Sequence, residues 1–204
     1  EIKTISLLQA ISNTLEMQPL LNIRSGEFSE LQEIIAKNED YLLQNIPEEW
    51  DLEFEDFLKS VKTALMFESW INEASEDFIL REFKVQPGEF YNRKEIADWL
   101  LYSLHEISLL LNYKNLMREI NKLRVRLEYG VKEELIPLVR LRQIGRIRAR
   151  KLYSAGITSI KKLREIPLES LSKLIGEKIA YYIKEQLGEI KTKKEKQSTL
   201  IDKI

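Results

Sequence analysis

The run Ile144-Gly145, Ala149 and Leu152 recurs 31 residues further along as Ile175-Gly176, Ala180 and Ile183. A repeat of this period means that the last part of the chain is built from two copies of one small supersecondary unit. In each copy the Gly marks a turn that a side chain would block. The Ala four residues on lets two helices cross closely, and the flanking apolar residues seal the pair. Each copy therefore reads as two short helices joined by a tight turn, the helix-hairpin-helix pattern.

Elsewhere the apolar spacing is helical almost throughout, and the 7 Gly and 5 Pro fall mostly at breaks. Helices are expected near 2–16, 27–44, 52–73, 76–85, 88–111, 114–129, 131–143, 146–154, 159–165, 168–175 and 177–187. Ser75 has the chemistry of an N-cap, Gln86-Pro87-Gly88 breaks the chain ahead of a long helix, and Gly130 and Gly156 stand where helices should end. Strand candidates are weak. The expected class is all-α: a helical bundle over 1–137 with a long central helix, a small tandem helix-hairpin-helix domain over 138–188, and a disordered basic tail over 189–204.

On the long helix, Ile96, Leu100, Leu104, Ile107 and Leu111 form an apolar stripe expected to be buried. Trp99 lies beside it, on a row with Asn92, Glu95, Tyr102 or Ser103, and Glu106. A Trp on a largely polar row either covers a neighbouring helix or stacks on something flat. Trp50 and Trp70, among apolar neighbours, are expected in the core. His105, the single His, has no second His or Cys to form a metal site and is expected to be structural. The carboxylates of Glu48 to Asp56 lack the spacing and turn Gly of a calcium loop and read as a solvated face. Arg118, Lys122, Arg124 and Arg126 make a mildly basic helix, compatible with either a solvated face or a flank to a bound polyanion.

Charge separates the two hairpin copies. The first carries Arg140, Arg142, Arg146, Arg148, Arg150 and Lys151 around Gly145, whereas the second carries Glu177, Lys178, Tyr181 and Tyr182. A turn at Gly145 exposes backbone N–H groups at a helix N-terminus, where anions are favoured, so phosphate contact is assigned to the first copy and mainly packing to the second. The alternative is a hairpin pair that only builds a small domain or binds protein. Position 143 is Gln where such turns often have a first Gly. Residues 140–204 hold 17 Lys+Arg against 7 Asp+Glu, and residues 1–139 hold 15 against 26, which together restore the totals of 32 and 33. One end of the chain is suited to a polyanion; the other can meet one only at a few placed residues.

The absence of Cys leaves no disulfide or thiolate metal site, and no uncharged apolar run approaches a membrane span or a signal peptide, so a soluble, cytoplasmic setting without a membrane partner is expected. No Gly is followed by Lys, so a phosphate-binding loop of the G-x-x-x-x-G-K-[ST] type is missing, and no cofactor is expected in this chain.

Several runs in order resemble the C-terminal part of the archaeal Hjm-type superfamily-two DNA-repair helicases. They are Val61-Lys62-Thr63-Ala64-Leu65, Trp70-Ile71-Asn72-Glu73, Pro87-Gly88-Glu89, Ala97-Asp98-Trp99-Leu100, Gly130-Val131-Lys132-Glu133-Glu134-Leu135, and Val139-Arg140-Leu141 through Gly156-Ile157. The resemblance implies a bundle whose long "ratchet" helix lines a single-strand path, followed by a small domain that grips the 3′ tail. It implies function in an ATP-dependent 3′ to 5′ helicase acting in fork repair and recombination, with single-stranded or forked DNA as partner. ATP and Mg would be bound by motor domains that, with a winged-helix domain, precede Glu1 in the parent. By the same resemblance Trp99 stacks on a base. The companion Arg of that family falls on Asn92, with Arg93 as an imperfect substitute, and Arg142, Arg146, Arg148, Arg150 and Lys151 contact the strand's backbone. In the tail, Gln197, Leu200 and Ile204 resemble the start of a sliding-clamp-binding peptide that lacks its closing aromatic pair. The rival reading is a stand-alone helical interaction protein.

Overall fold

A computed structural model describes residues 2–189, and among them there are helices and no strand. The chain divides into two compact units between Lys132 and Glu133. The first contains α1 (Thr4–Ser12), α2 (Phe28–Asn38), α3 (Phe54–Ile71), α4 (Glu76–Phe83), α5 (Pro87–Leu110) and α6 (Lys114–Tyr129). The second contains α7 (Ile136–Val139), α8 (Arg146–Ser154), α9 (Ile160–Glu165), α10 (Leu168–Ile175) and α11 (Glu177–Gln186). The division falls ahead of the boundary expected at 137, because the 3-10 turn Glu133–Leu135 packs on α7 and α8.

Local chemistry sets several helix ends. The Ser75 hydroxyl accepts the Phe78 N–H at 3.2 Å and opens α4. A reciprocal capping box between Gln86 and Glu89, with Pro87 at the first helical position, opens α5. Gly130 closes α6 at φ 64°, a conformation that disfavours any side chain. The expected helix over 131–143 shrinks to the 3-10 turn and α7. Beyond Val139 the chain turns out of helix, reaching φ 70° at Gln143.

The core of the first unit lies where α1, α3, α5 and α6 meet, around Leu7, Leu8, Phe67, Ile71, Phe90, Leu101 and Leu127. α1 packs against both α3 and α5, which is why it is apolar or small over most of its surface. A smaller cluster joins α2 to the start of α3 through Leu31, Ile35, Phe57 and Leu58.

On α5 the buried row is Phe90, Arg93, Ala97, Leu101 and Ser108. This is the expected stripe moved by one residue, a rotation of about 100°. Two helices, α1 and α6, press on α5, and the surface between them takes the core. Ile96, Leu100 and Leu104 remain partly buried at its edge, whereas Ile107 and Leu111 are exposed. Trp70 is buried as expected, but Trp50 is 80% exposed, because it precedes α3 and stands outside that helix's apolar spacing.

All six apolar residues of the repeat, Ile144, Ala149, Leu152, Ile175, Ala180 and Ile183, are buried in the second unit. The two turns nevertheless differ. Gly176 has φ 89° and ψ 146°, a conformation reserved for Gly, whereas Gly145 is ordinary extended backbone at φ −90° and ψ −176°. A Cβ built on Gly145 would meet nothing within 4 Å, so the expected steric block there does not exist. The left-handed residue of the first turn is Gln143.

Candidate nucleic-acid interface

Trp99 is 55% exposed on α5. It lies two residues from buried Ala97, about 200° around the helix, and so faces away from the core. Asn92 is exposed on the same row, two turns earlier. Arg93 is different. It is buried, and its guanidinium donates to the backbone carbonyls of Met17, at 3.2 Å, and Pro19, while burial lowers its pKa. It belongs to the interior of the bundle and does not stand beside Trp99 in place of the family's Arg.

Next to Trp99 a second polar assembly joins α5 to α6. Arg124 Nε and Nη2 donate to the two Asp98 carboxylate oxygens at 2.8 and 3.0 Å, and the same guanidinium lies 5.1 Å from the centre of the Tyr102 ring. Hydrogen bonding to Asp98 raises the Arg124 pKa despite partial burial. Arg126, from the same basic helix, is turned inward toward the carbonyls of Val131 and Ile71. His105 contacts Glu106 at 3.0 Å, and among the described residues no cluster of His, Cys, Asp or Glu could hold a metal.

In the second unit the basic residues surround the start of α8. Arg140, Arg142, Arg148 and Lys151 are exposed, and Arg146 is half-buried. Gly145 supplies no side-chain cap to α8, and a Cβ there would meet nothing within 4 Å. Arg148 Nη1 donates to the Gln143 carbonyl at 3.0 Å, bracing the turn. Arg150 is held by Glu134 at 2.9 Å and lies 5.3 Å from the Tyr153 ring centre, so part of its charge is already neutralised within the unit. Gln197, Leu200 and Ile204 lie outside the described residues.

Two features of this surface are absent from the sequence reading. Gln186 on α11 pairs with the backbone of Arg142 in both directions, accepting its N–H at 3.0 Å and donating to its carbonyl at 3.1 Å. Ile147, 78% exposed, sits among the arginines at the start of α8. The pairing joins residues far apart in sequence, so periodicity carries no trace of it. The apolar Ile147 amid charges was a signal that could have been read.

A bundle with one long helix bearing an outward Trp, followed by a basic helical unit, has counterparts among known proteins. The family model for archaeal helicase, domain 4, matches residues 5–130. An ATP-dependent DNA helicase Hel308 from Methanocella arvoryzae is 38% identical over 192 residues, covering 92% of this chain and 26% of that protein. Proteins of the same name from Methanocaldococcus jannaschii and Pyrococcus abyssi are 41% and 36% identical, covering 90% and 96% of this chain but 14% and 28% of their own length. The chain belongs to the archaeal Hel308-type helicase family and corresponds to a C-terminal part of such a protein. It spans about a quarter or less of the length of these relatives.

The ATP in the relatives' name finds no phosphate-binding loop of the G-x-x-x-x-G-K-[ST] type in this chain. None of the seven glycines is followed by Lys, and among the described residues no group of His, Cys, Asp or Glu could hold a cation.

Proposed function

We propose that this chain is the strand-guiding, single-stranded DNA-binding module of an ATP-dependent 3′ to 5′ DNA helicase acting at replication forks in repair and recombination. The observation that carries the reading is Trp99. A large indole 55% exposed on the longest helix faces away from the core of the bundle, and an aromatic face of this kind accepts any base by stacking. The family of the chain makes DNA the flat ligand to test.

The division of charge supports a division of labour. Residues 1–112 hold 22 Asp+Glu against 9 Lys+Arg, so this part of the bundle repels a polyanion and contacts it through stacking at chosen points. The basic second unit supplies phosphate contacts through Arg140, Arg142, Arg146, Arg148 and Lys151 and through the N–H groups beneath Gly145, with a smaller share for Arg150 because Glu134 already pairs with it. ATP hydrolysis belongs to the motor domains of the longer protein, which with its winged-helix domain are the covalent partners of this module. Single-stranded or forked DNA is its ligand.

Fluorescence anisotropy of a labelled single strand, titrated with the chain at several salt concentrations, tests this. Contact with about four to six phosphates gives a log–log salt slope near −3 to −4, and Arg148→Ala with Lys151→Ala flattens it by about 1.4. A slope near zero, or one unmoved by the double substitution, contradicts the assignment.

A further inference from the structure

Tyr102 follows Trp99 by three residues on α5, so the two side chains are neighbours on one helix surface, separated by a rise of about 4.5 Å. Both are exposed, Trp99 at 55% and Tyr102 at 47%. Asn92, Glu95, Ser103 and Glu106 flank them with polar groups, and the exposed Leu109 and Leu110 continue the same surface at the end of the helix. Two exposed rings edged by polar groups suit ligands that are flat and apolar on their faces but polar at their edges.

The Tyr102 ring is also held in place. Arg124 lies over it at 5.1 Å from the ring centre, and Arg124 is itself fixed by its two hydrogen bonds to Asp98. This chain of contacts does two things for a polyanion. It orders the ring ahead of binding, so less side-chain freedom is lost when a base arrives. It also neutralises Asp98, whose carboxylate stands immediately before Trp99 and would otherwise repel the strand's phosphates.

We propose that Tyr102, backed by Arg124, is a second base-stacking residue, so that α5 offers a two-ring platform to successive bases of a single strand. The inference rests on the reading of α5 as the strand-contacting helix, and adds to it a residue, a positioning partner and a preference for bases over bare backbone. Arg124 acts through the ring and through Asp98 and is a positioning residue.

The test uses the whole chain, a fluorescein-labelled oligo-dT strand and a base-free strand of the same length made of abasic units. Tyr102→Leu keeps an apolar, helix-favouring side chain without a ring, and Tyr102→Phe keeps the ring without the hydroxyl. Tyr102→Leu should weaken oligo-dT binding by about fivefold or more, the lower end expected of one base–aromatic stack, while Tyr102→Phe should stay within about twofold. On the base-free strand all three proteins should bind alike. Wild-type affinity in Tyr102→Leu, together with weakening in Trp99→Ala, overturns the role of Tyr102 and leaves the strand-contact reading standing. Equal losses on both strands also overturn it, since the ring would then serve the backbone or the fold. Failure of Trp99→Ala and Tyr102→Leu alike to alter binding, or no binding by the unsubstituted chain, overturns the reading of α5 as well.

Discussion

The side-chain amide of Gln186 and the backbone of Arg142 form a two-way hydrogen-bonded pair, 3.0 Å in one direction and 3.1 Å in the other, tying the basic turn before α8 to the last helix of the unit. This gives the turn a fixed shape without adding or removing charge. Gln186→Ala should therefore lower single-strand affinity by about two- to fivefold, equivalent to the loss of roughly 0.5–1 kcal/mol from one exposed hydrogen-bond pair. The salt slope should not change, because the number of phosphates met is the same. A slope altered as much as by loss of a cation would show that Gln186 acts otherwise.

Gly130 carries a second fixed relationship. Trp70 donates its indole N–H to the Leu127 carbonyl at 2.7 Å, using an acceptor left over at the end of α6, and its ring lies directly against Gly130. A Cβ at position 130 would come within 2.5 Å of the indole, at a residue whose φ of 64° already disfavours side chains. Gly130→Ala should cost at least about 2 kcal/mol of unfolding free energy in a denaturant titration. A change below about 0.5 kcal/mol would mean that the indole can move aside freely.

Glu27 links α2 to the core by accepting from Arg24 and from Lys62, the latter at 2.6 Å. Burial pushes its pKa up, but the hydrogen bonds from Arg24 and Lys62 outweigh it and hold the carboxyl down to about 2, against an ordinary value of 4.5. A depressed carboxylate contributes stability that is fully present above about pH 4.5 and is lost as pH falls toward 2. Melting temperature should accordingly drop between pH 5 and pH 2. Glu27→Gln should lower it at pH 7 and flatten that acid limb. Parallel acid limbs in the two proteins would contradict the coupling.

How far the sequence could be read depended on how local each cause was. Ser75, Pro87 and Gly130 act within one turn of their own helices, so those ends were legible, and so were the buried apolar positions of the repeat. Arg93 was not legible, because the carbonyls that hold it belong to Met17 and Pro19, far back in the chain. The buried row of α5 was missed by one residue for the same reason: periodicity gives the width of an apolar stripe, but neighbouring helices decide which edge of it they cover. The spacing makes Gly145 a steric necessity, whereas the left-handed residue of that turn is Gln143. The outward position of Trp99 followed from its polar row once Ala97 marked the inside of the helix, whereas Arg124 and its hold on Tyr102 depend on a contact between α5 and α6.

The most direct measurement is the fluorescence of Trp99 during titration with oligo-dT. Trp50, 80% exposed, is replaced by Phe to remove its signal, and Trp70 is kept, since it is buried and needed at the end of α6. Stacking of a base on Trp99 should quench the exposed component of the emission, and Trp99→Ala should abolish the quenching and weaken binding by roughly 1–3 kcal/mol while leaving the unfolding transition nearly unchanged. Quenching that persists in Trp99→Ala, with affinity intact, would contradict the account.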